Sequence, residues 1–453
     1  MGRPRLFRDP VHLQLRYERV EGEAVPASGA LRLGWVMQRL VDRPEFQRLR
    51  HIRQNGLTNL VFHGAEHSRF SHSMGVAHVA ESMFSHVCRN MDEPVNEEHL
   101  LATCAAALLH DVGHGPFSHT LEEILKAANV KFDHERMTQR IIMESGMREV
   151  LDRVGPAFAE DVSGYISKKR TEEHWRYKLV SSQLDADRLD YLLRDAMSAG
   201  LRGHGYDLVR LLDMLHHLDG KRIAVHWRGI ETVEGYLVAL DQMYRAVYFH
   251  HTVRAASVLL SSVLRRALDL AKKDPRRIFL DADPLKELME KGDNCDLGTY
   301  LRLGEFQIWT LIERWRTHED KVLSDLSTRL MTRQLFKTME VPSGHFGDLK
   351  SLLEYAKGLA RDKIPHCDES VDELYVCVDD PIRTSYKRYD WRSEGDDDQI
   401  WIVGIPDGKP CPIESYPKSK LIDGLKNTTY LPRLVFPSEI GDELYASQKR
   451  AKS

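Results

Sequence analysis

Between Leu108 and His119 the chain reads LLHDVGHGPFSH, setting His110, Asp111, His114 and His119 close together behind an apolar run. The run from Leu101 to Leu109 has helical character and stops at Gly113, Gly115 and Pro116. Imidazoles and a carboxylate at the end of a packed helix are firmly held and still reach a cavity. Buried without partners they would each be strongly unfavourable. They therefore face either solvent or a shared ligand. Two further segments supply matching donors. HSRFSHSMG (His67–Gly75) brings His72 to the head of another helical stretch, and QLDADRLDYLLRD carries Asp185, Asp187, Asp190 and Asp195. On a helix Asp187, Tyr191 and Asp195 share one face, with Leu189, Leu192 and Leu193 on the other. The plain alternative is a solvated acidic face with Arg188 and Arg194 as salt-bridge partners.

His72, His110, Asp111 and Asp187 together form a two-imidazole, two-carboxylate set that suits a divalent ion such as manganese or iron with positions open to water. Nothing in it resembles the closed, sulfur-rich ligation of a structural zinc. An ion so bound lowers the pKa of its water, to about 7 in the best zinc cases, and the chemistry implied is metal-assisted hydrolysis.

The elements that must position these residues are mostly helical. Residues 1–30 read as irregular because of Asp9-Pro10, Gly22, Pro26 and Gly29. From Leu33 the apolar period is helical for about three hundred residues. Helical stretches are expected at Ser182–Ala199, Gly235–Ala271, Gly298–Thr317 and Asp320–Phe336, with a short strand at Arg222–Trp227 pairing across Gly220. Beyond Val341-Pro342-Ser343-Gly344 the pattern changes. Glu373–Val378 and Gln399–Ile405 read as strands around the polar run Ser393–Asp398, Lys418–Leu425 as a short helix, and 446–453 as a frayed tail. The expectation is a mainly α protein: a helical catalytic domain over 1–340, its metal site within 30–200, and a smaller C-terminal α+β lobe over 341–453 of unassigned role.

Bulk properties exclude more than they select. The net charge of -4 gives no global attraction to nucleic acid. The six cysteines show no CxxC pair, so a reducing, cytoplasmic setting is expected. No apolar run is long enough to cross a membrane. The 22 histidines, many of them between 51 and 134, direct attention to metal and proton chemistry.

The order His72, His110-Asp111, Asp187 resembles the H…HD…D signature of the HD phosphohydrolase superfamily. Within it the chain is similar to the deoxynucleoside triphosphate triphosphohydrolases, through FRDPVH (Phe7–His12), RPEFQRLRHIRQNG (Arg43–Gly56), HSRFSHSMG, HDVGHGPFSH and DADRLDYLLRD. The resemblance runs from Phe7 to Phe336 and implies hydrolysis at the α-phosphate of a dNTP, releasing a deoxynucleoside and triphosphate. It implies His72, His110, Asp111 and Asp187 as ligands of manganese, iron or zinc, with magnesium accompanying the substrate phosphates. Arg69 matches an arginine near the base and α-phosphate, and His114, His119 and His134 match histidines facing the phosphates. His119 also matches an acid for the leaving 5′ oxygen, supported by Glu122. Gln54, Tyr191 and Asp195 match positions that read the sugar, Tyr248 matches one that walls off a 2′-hydroxyl, and Arg188 stands where the family often has lysine.

Other positions depart from the family. Ala196, Met197 and Ser198 occupy a region where a histidine is expected. Asp42, Gln47 and Arg50 match readers of a guanine effector in some relatives, yet Arg8 and Leu13 replace an asparagine and a glycine there. An amphipathic helix with those polar residues solvated is the alternative. The resemblance also implies a homo-oligomer. Two competing functions keep the same residues: a nuclease or phosphodiesterase acting on single-stranded nucleic acid, or a catalytically silent nucleotide sensor. No basic, aromatic-lined run supports the first, and the complete ligand set weighs against the second.

Overall fold

A computed structural model describes residues 3–167, 174–341, 346–380, 382–383, 399–406, 408–419, 421, 425, 429–430 and 432–452. Its centre is made by two long helices, α1 (Arg69–Asn90) and α2 (Glu97–Leu109), packed on each other. Asn96 starts α2 by accepting hydrogen bonds from the backbone N–H groups of Glu98 and His99. Every residue from Leu101 to Leu109 is buried, which is why this helix is apolar all round. Around this pair lie α3 (His119–Ala127), α4 (His134–Glu144) and α5 (Ala186–Ser198). Asp185 caps α5 through the Arg188 N–H, and Leu189 and Leu192 bury its inner face against α1. The head of α1, the tail of α2 and the head of α5 therefore meet at one place.

The N-terminus departs from the irregular reading. β1 (Arg5–Asp9) and β2 (Leu13–Tyr17) form an antiparallel hairpin with Asp9 opposite Leu13. Leu15 and Tyr17 face the core while Gln14 and Arg16 are exposed, an alternation too short to stand out beside Pro10. The stretch expected as one helix over Gly235–Ala271 is divided. α6 (Ile230–Met243) passes into a π turn, Tyr244–Tyr248, and resumes as α7 (His251–Ala271). A single wide turn keeps helical periodicity, so the sequence pattern does not betray it. The stretch at Gly298–Thr317 is likewise two helices, Leu297–Leu301 and Glu305–Trp315, with Gly304 capping the second, and the next runs only over Lys321–Met331.

The expected strand at Arg222–Trp227 is present as β4 (Arg222–His226), paired with β3 (Leu215–Leu218). Further on, β5 (Lys337–Glu340), β6 (Cys377–Asp379) and β9 (Arg433–Phe436) make a sheet in the order β5-β9-β6. β7 (Trp401–Val403) and β8 (Cys411–Pro412) complete a second sheet, in which β7 lies parallel to β4. Both sheets join residues from either side of position 340. The strand expected at Glu373–Val378 begins as a short turn, Asp372–Leu374, and pairs only from Cys377. A helix over Phe346–Lys363 is additional to the expected elements, and the tail expected to fray forms a helix, Gly441–Lys452. Ser393–Asp398 and half of Lys418–Leu425 lie outside the described residues.

Candidate metal centre

His72 enters from the first turn of α1, His110 ends α2, Asp111 follows it, and Asp187 stands in the first turn of α5. His72 Nδ1 donates to Asp190 Oδ2 at 2.8 Å, and His110 Nδ1 donates to the Ala107 carbonyl at 2.8 Å. Each ring therefore turns an unprotonated Nε2 inward when neutral, and both Nε2 atoms are buried with no hydrogen-bond partner among the described residues. His72 Nε2 lies 3.0 Å from Asp187 Oδ1 and 3.8 Å from Asp111 Oδ2. His110 Nε2 lies 3.2 Å from Asp111 Oδ1 and 3.7 Å from Asp187 Oδ1. Donors bonded to one ion at about 2.1 Å stand about 3 Å apart when adjacent and about 4 Å apart when opposite. The four side chains fit a shared divalent ion.

Their charges agree with that fit. Burial opposes a charged His72, yet the nearby carboxylates of Asp187 and Asp190 push its pKa up to about 10. Burial would raise Asp187, but His110 and His72 hold it below the usual carboxylate range.

A second layer of buried charge orients His72. Asp190 also accepts from His12 Nε2 at 2.7 Å and from Arg194 Nε and Nη2, each at 2.8 Å. Arg194 in turn donates to Asp9 at the end of β1. Asp190 and Arg194 are both fully buried. The solvated partnership considered for Arg194 does not occur. Gly75 faces this pair, and a Cβ there would fall on Asp190 Oδ1 and Arg194 Nη2. The sequence reading missed Asp190, Arg194, Asp9 and His12 as a unit. Their only signals are the i, i+4 spacing of Asp190 and Arg194 and the FRDPVH block.

Arg69 forms an ion pair with Asp111 and donates through Nε and Nη2 to Ser118 Oγ at 3.1 and 2.6 Å. Burial would raise Asp111, but Arg69, His110 and His114 hold it well below the usual range. His114 Nε2 is 3.3 Å from Asp111 Oδ1, and its ring stacks on that of His134 with centroids 3.9 Å apart. Burial and the neighbouring Arg69 keep His114 well below its ordinary pKa. Glu122 Oε1 accepts from His134 Nδ1 at 2.7 Å. Asp111 and His114 are buried, so the solvated reading of this helix end is excluded. His119 begins α3, and its side chain lies outside what is described.

These groups open onto a cavity of about 390 Å³ whose walls include Gln54, Arg69, His134, Asp187, Arg188 and Tyr191. Gln54 Oε1 is buried with no hydrogen-bond partner among the described residues. Asp195 and Tyr248 stand one layer behind. Asp195 accepts from Tyr248 Oη at 2.6 Å and from His67 Nε2 at 2.8 Å, and the Tyr248 ring meets that of Tyr191 edge-on at 6.1 Å. His67 is a further residue the sequence reading did not single out. The three candidate effector residues are not gathered into one cavity. Asp42 accepts two hydrogen bonds from Arg5, at 2.7 and 2.8 Å, on the wall of a separate cavity of about 740 Å³. Arg50 instead donates to Gln47 and lies over the Phe70 ring.

The HD domain model matches residues 69–195, from Arg69 to Asp195, and the HD associated region matches 206–303. The uncharacterized protein YwfO of Bacillus subtilis is 38% identical over 341 residues, covering 75% of this chain and 73% of its own. The chain belongs to the HD-domain phosphohydrolase family. This HD protein is also similar to the deoxynucleoside triphosphate triphosphohydrolase SAMHD1 of Homo sapiens, 27% identical over 276 residues. That match covers 54% of this chain and 44% of the human protein, so less than half of the relative is spanned. A crystal structure of a phosphohydrolase from Bacteroides thetaiotaomicron has a TM-score of 0.76 at 27% identity, covering 96% of this chain and 99% of that one. Among the described residues no helix of the HD protein is long and apolar enough to cross a membrane.

Proposed function

We propose that this HD protein hydrolyses deoxynucleoside triphosphates at the α-phosphate, yielding a deoxynucleoside and triphosphate. The observation that carries the reading is the convergence of the His72 and His110 Nε2 atoms on the carboxylates of Asp111 and Asp187, beside a cavity of nucleotide size. His72, His110, Asp111 and Asp187 would hold the divalent ion. When bound, that ion supplies a polarised α-phosphate and an acidified water.

The chain's own residues do the rest. Arg69, anchored on Asp111 and Ser118, presents a fixed guanidinium beside the metal ligands, where charge on the α-phosphate must be neutralised. Arg188 adds a second cation on the cavity wall, while His114 and His134 face the rest of the triphosphate. His119 supplies the proton to the leaving 5′ oxygen, and Glu122 supports the acid. Gln54 and Tyr191 read the sugar, with Gln54 Oε1 available to a hydroxyl donor. Asp195 acts through Tyr248, whose hydroxyl it holds, so that the ring closes the sugar pocket against a 2′-oxygen. A nucleotide effector near Asp42, assembly into a homo-oligomer and a cytoplasmic setting complete the proposal.

Incubating the purified protein and Mn²⁺ or Mg²⁺ with the four dNTPs, the four NTPs and single-stranded DNA tests it. Equal amounts of deoxynucleoside and triphosphate are expected from at least one dNTP, with NTPs spared. His110→Ala/Asp111→Ala removes both activity and the ion. Monophosphates released from DNA alone, or hydrolysis persisting in that variant, would overturn the reading.

A further inference from the structure

Away from the metal centre, a cavity of about 280 Å³ opens between the middle of α1, the head of α2 and the helix Gly29–Val41. Glu81 lines it from α1, about two and a half turns beyond His72 and on the opposite face of that helix. The walls beside it include Leu33, Val95, Leu100 and Leu101, so they are largely aliphatic. The frame of the cavity is tight. A Cβ on Gly34 would fall on the Glu18 carbonyl oxygen, and Gln38 Nε2 donates to that oxygen at 2.7 Å, which fixes the helix Gly29–Val41 on the chain leaving β2. Glu97 Oε2 accepts from the Gly29 N–H at 3.0 Å and ties the start of that helix to the head of α2.

The Glu81 carboxylate has no hydrogen-bond or ion-pair partner among the described residues, and burial raises its pKa. Arg32, a cation on the same wall, is committed elsewhere. Its Nη2 donates to the Val154 carbonyl at 3.1 Å and stands 3.9 Å from Glu98. Two more proton-bearing groups are close to Glu81. The Tyr17 hydroxyl is buried with no hydrogen-bond partner among the described residues. Burial raises the pKa of both Tyr17 and Cys104, and the charge of Glu81 raises each further. A half-buried carboxylate against aliphatic walls, with a phenol and a thiol nearby and no cation paired to it, is unfavourable unless a positive ligand joins it.

We infer that this cavity binds a small primary alkylamine, its ammonium group on the Glu81 carboxylate and its chain along Leu33, Val95, Leu100 and Leu101. The size agrees. A cavity of about 150 Å³ accommodates benzene, so 280 Å³ takes a chain of about six carbons with its ammonium head. Burial of the chain and pairing of the charge both favour binding, whereas an alcohol keeps only the first and a carboxylate is repelled. The site is independent of the proposed reaction, because Glu81 faces away from the metal ligands on α1.

Calorimetric titration of the full chain with hexylamine at neutral pH tests the site, with 1-hexanol and hexanoate as uncharged and anionic counterparts of the same chain length. Hexylamine is expected to bind saturably, at about one molecule per chain. The alcohol is expected to bind about tenfold or more weakly, as the loss of a hydrogen bond to a charged group would give, and hexanoate not at all. Glu81→Gln, which keeps the side chain's size, is expected to lower the affinity for the amine to that for the alcohol. Val95→Trp fills the mouth of the cavity from a position 45% exposed, and is expected to abolish binding of both with the thermal unfolding midpoint unchanged. That variant decides the matter should Glu81→Gln fold poorly. Absence of saturable hexylamine binding overturns the inference. Equal affinities for amine and alcohol also overturn it, as does an affinity for hexylamine unchanged in either variant.

Discussion

The ring of His72 is fixed in orientation because Nδ1 donates a hydrogen bond to Asp190, which is itself held by His12 and Arg194. Carboxylates of this kind raise the basicity of the ligating imidazole and fix its plane. Asp190→Asn is therefore expected to weaken Mn²⁺ binding about 10- to 100-fold, measured by isothermal titration calorimetry. Unaltered affinity would mean that the His72–Asp190 contact is only structural. The quartet was legible in the sequence because its residue types are rare in apolar surroundings. Asp190 was not, since it sits among three other aspartates and its partner His12 is 178 residues away. The hydrogen bond between Asp195 and Tyr248 was likewise not legible, since it joins residues far apart in the sequence.

At the level of elements, the site depends on close approaches that only small residues permit. Gly75 lets α1 lie against the Asp190–Arg194 pair. Gly75→Ala is expected to lower stability by about 1–3 kcal/mol, the usual range for overpacking, read as a fall in the thermal unfolding midpoint. A neutral outcome would show that α1 and α5 have room to separate. The turn after α2 carries Phe117 and Ser118 with φ of 56° and 45°, a left-handed conformation that non-glycine residues rarely adopt. Arg69 holds Ser118 there through two hydrogen bonds. The helix ends at His110 and Gly113 were readable from composition. The hairpin and the π turn were not, because the first is only five residues a side and the second preserves the helical period.

On the scale of the whole molecule, strands from either side of position 340 share two sheets, so that position is a change of composition with strand pairing across it. β7 is paired with β4, and β9 is paired with β5. Arg254 on α7 also grips Asp379 on β6, through Nη2 at 2.6 Å. A chain ended after Val341 would leave β4 and β5 with open edges and uncover Phe336 and Met339. It is expected to aggregate or to unfold well below the full chain by differential scanning calorimetry. An unchanged midpoint would show the C-terminal part to be an independent appendage. The helical class and the C-terminal change of character could be read from periodicity. The parallel pairing of β4 with β7 could not, because it joins short segments far apart in the sequence.

In the proposed reaction water is delivered to the α-phosphate and the 5′ oxygen leaves. Hydrolysis of a dNTP by the metal-loaded protein in ¹⁸O-water, with products separated and weighed by mass spectrometry, tests that claim at the bond itself. One ¹⁸O is expected in the triphosphate and none in the deoxynucleoside. Label in a deoxynucleoside monophosphate, or in the nucleoside's 5′-hydroxyl, would contradict it.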